Sequence, residues 1–357
     1  MTSVVKHLVK QGLIKPPGFV DGNIQYETVM GSEAYGSATS SSDIDIYGFC
    51  IPPQNVLFPH IVGIIPGFDR NVQGFEQYQQ HHIMDADAHA GKGQEYDIQI
   101  FNIVKYFRLC LDGNPNMIDS LFTPQDCVRF QTTLAVEVRD NRRLFLSMDI
   151  VPKFRGYALS QIGKMVNKKI VDDVLDLEHL ECTYEELQEV SIDEIDELLR
   201  NGMSLSDIPM ETLQEYSAIM HRVLESKRAE QINIGKADYD VKFAMHAIRL
   251  LCELEQILET GDIDLRRDAE FYKAVRRGDF TREEIVTWVD HKALHLEEIK
   301  SRSLQVIPSK PKEKEVKELL VNCLEQHYGT LGDALILPDR YKSALMDIQD
   351  AINKALG

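Results

Sequence analysis

The sequence predicts an α+β protein with a small mixed-sheet core over residues 1–150 and a mostly helical C-terminal domain over 151–357. Three observations carry this. Short β-branched and aromatic runs, each closed by Gly, Pro or polar residues, fill the first hundred positions. Beyond Pro124, apolar residues recur at i, i+3 and i+4. Between the helical segments lies an acidic insertion at about 171–215. The length of 357 residues suits two domains at about 100–200 residues each.

The first strand is expected from Ile24 to Met30, ending at Gly31. Gly31 to Ser42, rich in Gly, Ser and Thr, reads as a loop with room for one helical turn. Ile44 to Ile51 alternates as a strand and stops at Pro52-Pro53. Phe75–Met84 and Tyr96–Phe101 are two further strands, and the small polar stretch Asp85–Gly93 suits the turn of a hairpin. Asn102–Leu111 turns helical, Asp112-Gly113-Asn114-Pro115 ends that helix, and Met117–Phe122 starts the next. Later helices are expected over Tyr157–Val166, Ile195–Leu199, Ala244–Leu258, Arg282–Ile299, Val316–Tyr328 and Tyr341–Leu356, with Pro308–Glu315 as an exposed connector.

Composition narrows the function. No apolar run reaches membrane-spanning length, and the first residues lack a signal-peptide pattern, so a cytoplasmic protein with no membrane partner is expected. The six cysteines are dispersed without a CxxC pair, which favours buried free thiols over a disulfide framework or zinc finger. The net charge of −18 argues against a surface-wide grip on nucleic acid. More than half of it comes from Val171–Arg200, where twelve acids face a single arginine, so a basic groove elsewhere stays compatible with the total.

Asp43 and Asp45 carry the chemistry. Two apart on a strand, they share a face, and a divalent cation such as Mg²⁺ relieves their repulsion. Upstream, Gly31 lets phosphate oxygens approach backbone N–H groups, and the Ser32 hydroxyl adds a donor. Ten residues separate Ser32 from Asp43, enough to turn and return as the next strand. The two features would then meet at one sheet edge as a triphosphate cradle beside a metal-binding pair. His81, His82 and His89, with Asp85 and Asp87, fit no common zinc spacing and read as a polar strand and hairpin tip.

Gly31-Ser32 with Asp43-Ile44-Asp45 resembles the signature of the DNA polymerase β-type nucleotidyltransferase superfamily. The extended forms Gly31-Ser32-Glu33-Ala34-Tyr35-Gly36 and Ser42-Asp43-Ile44-Asp45-Ile46-Tyr47-Gly48 are similar to one branch, the RNA-repair-associated predicted nucleotidyltransferases of bacteria and phages. Weaker pieces of the likeness are Asp97-Ile98 with Lys105, Gly113-Asn114-Pro115-Asn116, Gly156-Tyr157-Ala158 with Ser160-Gln161, and Tyr239-Asp240 with Lys242, His246 and Arg249. It spans about Tyr26 to Asp264 and fades over the acidic window and after Arg282.

The resemblance implies a third carboxylate, matched by Asp97 with Glu95 as competitor, and Mg²⁺ (or Mn²⁺) held by Asp43, Asp45 and Asp97. It implies an NTP substrate, ATP favoured, and pyrophosphate release. It places the helix of Tyr157, Ser160, Gln161 and Lys164 beside the site, and Lys242, His246 and Arg249, at i, i+4, i+7, on a face suited to an anionic substrate. An RNA or tRNA end as acceptor comes from the resemblance alone. AMPylation of a protein or a small molecule would use the same site, and a non-catalytic nucleotide-binding, antitoxin-like regulator is a third reading, weakened because all three carboxylates are present. A metal-dependent glycosyltransferase also uses an Asp-x-Asp pair but has no need of Gly31-Ser32.

Overall fold

A computed structural model describes residues 3–38, 43–62, 74–175 and 239–330, with the single positions 348 and 352. Five strands form one mixed sheet: β1 (Ile24–Val29), β2 (Ile44–Cys50), β3 (Gln77–Asp85), β4 (Gln94–Asn102) and β5 (Val128–Gln131), in the order β3-β4-β2-β1-β5. Only β2 and β4 run parallel; the other neighbours are antiparallel. Among the described residues, helices of two turns or more are α1 (Val4–Gln11), α2 (Ile103–Leu111), α3 (Pro115–Phe122), α4 (Thr133–Asp140), α5 (Ile150–Leu175), α6 (Val241–Thr260), α7 (Ala269–Arg277), α8 (Arg282–Lys300) and α9 (Glu313–Tyr328). The fold is therefore α+β, a mixed sheet followed by a helical C-terminal region, as the sequence predicts.

The four strands expected from the sequence are present. β5 was not expected: its four residues, Val128 to Gln131, are too short for a periodic signal, and they form an edge strand only by pairing with β1. The glycine turn and the carboxylates also sit elsewhere than at a lateral edge. β2 is the middle strand, so they meet at the end of the sheet where β1 stops and β2 starts. The connector at Pro308 is tied down as well, since its carbonyl accepts from the Met148 backbone N–H at 2.9 Å. The acidic window beyond 175 and the expected helices over 195–199 and 341–356 fall outside the described residues, apart from positions 348 and 352.

Sequence explains the local choices. Helices α2, α3 and α4 begin at Asn102, Asn114 and Thr132, whose side chains accept from the backbone N–H three residues on. Gly48 is required in β2, because a Cβ there would lie 1.9 Å from the Tyr26 carbonyl oxygen on β1. Glu27, in mid-β1 and fully buried, accepts from the Ser3 hydroxyl at 2.6 Å and from the Val4 and Val5 N–H groups at 2.7 and 3.2 Å. A carboxylate at a helix N-terminus is favoured by the helix dipole, and here it pins α1 to the sheet. Cys50, Cys110, Cys127, Cys252 and Cys323 are free and buried. Among the described residues no helix is long and apolar enough to cross a membrane.

One buried apolar cluster runs from Val5, Ile46 and Ile98 through Phe154 to Leu250, Ile257 and Leu324. Helix α6 packs on α5, α7 and α8, and α9 returns to α2 and α4. The polar centre of this packing is Arg249 on α6. Its guanidinium pairs with Asp119 of α3 and with Glu253 at 2.9 Å, and lies 4.1 Å from the centre of the Tyr35 ring, whose hydroxyl donates to Asp119 at 3.0 Å. Burial pushes the carboxyls of Asp119 and Glu253 upward, and the arginine opposes the shift.

Removing the cation from such a site leaves two buried carboxyls uncompensated. Arg249→Leu is expected to lower unfolding stability by about 3–5 kcal/mol in urea denaturation. Lys310→Ala, which breaks an exposed 3.0 Å pair with Asp149, should change it by about 1 kcal/mol or less.

Candidate active site

β1 delivers Met30, whose N–H donates to the Asp45 carbonyl at 2.8 Å, and the chain then turns sharply at Gly31. Gly31 has φ +64°, and a Cβ there would lie 2.1 Å from Asp45 Oδ2. Glycine thus meets two demands at once: a left-handed backbone and space for a carboxylate against the turn. Gly31–Ala34 forms a single helical turn, closed by Ser37 N–H to Ser32 O at 2.8 Å. Arg266 braces it from the helical region, donating to the Glu33 carbonyl at 3.2 Å and to Asp126 at 2.7 Å. Ser32 is half-buried beside Gly31.

Asp43 immediately precedes β2 and Asp45 is its second residue. The parallel register aligns Asp45 with Asp97 of β4. Asp43, Asp45 and Asp97 each offer a carboxylate oxygen within 4.8 Å of the others. Burial, then Asp43 and Asp97, raise the Asp45 carboxyl from 3.8 to about 6, while Lys242 and His81 oppose the shift. Three converging carboxylates beside a glycine turn fit a divalent cation, which would remove the repulsion. Glu95, two residues before Asp97, instead faces His82, its Oε1 2.6 Å from the imidazole Nδ1.

A cleft of roughly 280 Å³ opens over Gly31, Asp45 and Tyr47. The helical region supplies its far wall: Asn116 from α3, Tyr157, Gln161 and Lys164 from α5, and Lys242, Phe243, His246 and Arg249 from α6. Most of the residues singled out in the sequence are thus brought together. Lys164 Nζ lies 5.5 Å from the centre of the Phe243 ring. Burial, then Arg249 and Lys242, lower His246 to about 3, so it is a neutral imidazole at pH 7.

The placements also redistribute roles. Ser160 is exposed and does not line the cleft; its neighbour Gln161, on the same stripe by spacing, is 4% exposed and does. Arg249 lines the cleft but its guanidinium is committed to Asp119 and Glu253. Tyr47, Asn116 and Phe243 were not singled out as binding residues from the sequence. Tyr47 had a usable signal, being two residues beyond Asp45 on the same strand face. Phe243 had none, because it reads as one more apolar position of α6. Asp85, expected at a polar hairpin tip, is the buried last residue of β3 and accepts from the Asp87 N–H at 3.1 Å.

A family model described as the RNA repair pathway DNA polymerase beta family matches residues 19–307. The match includes the acidic window and continues past Arg282, further than the resemblance read from motifs alone. No curated protein and no solved structure matches the chain.

Two outcomes are expected. Gly31→Ala should push Asp45 aside and weaken Mg²⁺ binding at least about tenfold, measured by titration calorimetry; unchanged affinity would refute the close approach. Because Asp45 is raised in the folded state, its contribution to stability is full below 3.8 and is lost as pH rises to about 6. Metal-free protein should therefore lose at most about 3 kcal/mol from this group over that window. Asp45→Asn should flatten that part of the pH–stability curve in urea unfolding.

Proposed function

The chain belongs to the RNA repair pathway DNA polymerase beta family, and from that premise we propose that it transfers a nucleoside monophosphate from an NTP, ATP favoured, to the hydroxyl of an RNA or tRNA end. The observation that carries the reading is the close approach of Gly31 to Asp45, with Asp43 and Asp97 converging on the same point. Bare backbone against a carboxylate cluster is what a triphosphate and its counter-ions require.

Asp43, Asp45 and Asp97 would hold Mg²⁺ or Mn²⁺. When bound, such ions supply neutralisation of the phosphate charge and acidify the attacking hydroxyl. The chain's own groups do the rest. The turn at Gly31 and Ser32 receives the β- and γ-phosphates on backbone N–H groups and the serine hydroxyl. Lys164 and Lys242 line the cleft as cations for the same charge. Tyr157 and Phe243 offer faces for the base. The acceptor oxygen forms a bond to the α-phosphorus, the bond from that phosphorus to the bridging oxygen breaks, and pyrophosphate leaves with that electron pair. Asp97 takes the acceptor proton. Positioning and charge account for most of the rate in such a transfer.

Labelled NTP incubated with RNA is the direct test. Asp43→Ala/Asp45→Ala is expected to lower transfer by a factor of about 10³ or more; equal transfer by both proteins sinks the assignment. Tyr157→Ala should raise the dissociation constant for NTP by roughly tenfold, the value of one base–aromatic stack, with little effect on Mg²⁺ binding.

A further inference from the structure

A second group of ligand atoms lies on the opposite side of Asp97 from Asp45. β3 pairs with β4 at Gln80↔Ile98 and resumes at Ile83↔Tyr96, so His81 and His82 together oppose the single residue Asp97. In a regular strand their side chains would point to opposite faces. The bulge sets His82 at φ +54°, a left-handed conformation rare outside glycine, and turns both histidines to the carboxylates of β4. His81 Nδ1 lies 3.0 Å from Asp97 Oδ2, the His82 N–H donates to Asp97 Oδ1 at 2.8 Å, and His82 Nδ1 is 2.6 Å from Glu95 Oε1. Single ligand atoms of His82, Glu95 and Asp97 lie within 4.8 Å of one another.

We propose that His81, His82, Glu95 and Asp97 form a site for a divalent transition-metal ion such as Zn²⁺, separate from the Asp43–Asp45 pair and joined to it through Asp97. Donor chemistry separates the two. The carboxylate triad offers only oxygen, the preference of Mg²⁺, whereas two imidazole nitrogens with two carboxylate oxygens suit Zn²⁺. The exposure of His81 and His82 leaves the site open to an ion from solution. Glu255, Glu259 and His295 also converge, but Lys292 at 2.5 Å and Arg267 at 2.9 Å already neutralise Glu255 there, so that group lacks the free negative charge a cation needs. The sequence spacing concealed the site, because the bulge, rather than the interval between histidines, brings the four residues together.

Titration of the full chain with Zn²⁺ alone, without nucleotide, tests this independently of transfer activity. Wild type and Asp43→Asn/Asp45→Asn should each bind one ion at this site, and His81→Ala/His82→Ala should lose about 100-fold in affinity for it. His295→Ala should bind as wild type does. Circular dichroism and a thermal melt check that each variant is folded; should the double alanine variant not fold, His81→Gln/His82→Gln takes its place. The proposal is overturned if wild type binds no Zn²⁺, if the histidine variant keeps wild-type affinity, or if the ion is lost on substituting Asp43 and Asp45 or His295 instead. Zn²⁺ binding without NTP transfer would retain this site and reject the transfer reading; transfer without histidine-dependent Zn²⁺ binding would do the reverse.

Discussion

Asp45 and Asp97 are held side by side by the parallel pairing of β2 and β4, and like charges in register repel. Much of the surrounding architecture accommodates that repulsion. The residue set against Asp45, two positions beyond the end of β1, is Gly31, with no side chain to crowd it. Lys242 reaches toward it from the helical region, and His81 meets Asp97 from β3. Burial adds to the strain on Asp45 instead of relieving it. The least comfortable point of a sheet built this way is Asp45, where the metal ions proposed for this site would relieve the repulsion.

The helical region completes the cleft and holds it in place. Arg249 binds Asp119 of α3 and Glu253 of its own helix, and stacks near Tyr35, which follows the glycine turn. Arg266 grips the same turn through the Glu33 carbonyl. Both arginines join the glycine turn to residues more than two hundred positions later. Rigidity of the turn is thus a tertiary property, since its single helical turn is too short to be stable by itself.

Much of the fold was legible because its signals are local. Alternation and terminators marked β1 to β4, and 3.6-residue periodicity marked α2, α3, α6, α8, α9 and the middle of α5, whereas α1, α4 and α7 were not singled out. The glycine, the serine and the first two carboxylates were legible as a spaced motif. Three further things were not. β5 exists only through pairing, which no four-residue window contains. The choice of Gln161 over Ser160 depends on which side of α5 meets α6, a matter of packing between elements far apart in the chain. The convergence of His81 and His82 on Asp97 depends on a bulge, which changes side-chain direction without leaving a mark in hydropathy.

Helix α9 returns to the part of the protein formed by the first 150 residues: Tyr328 donates its hydroxyl to the Pro52 carbonyl, Gln326 bonds Glu137 at 2.6 Å, and Leu319, Cys323 and Leu324 are buried. The order of synthesis gives this a price. Every strand has left the ribosome long before the helix that covers α2 and α4, and contacts so distant in sequence form late. During that interval the nascent sheet region would show an apolar flank, the kind of surface that chaperones hold and that associates with other chains.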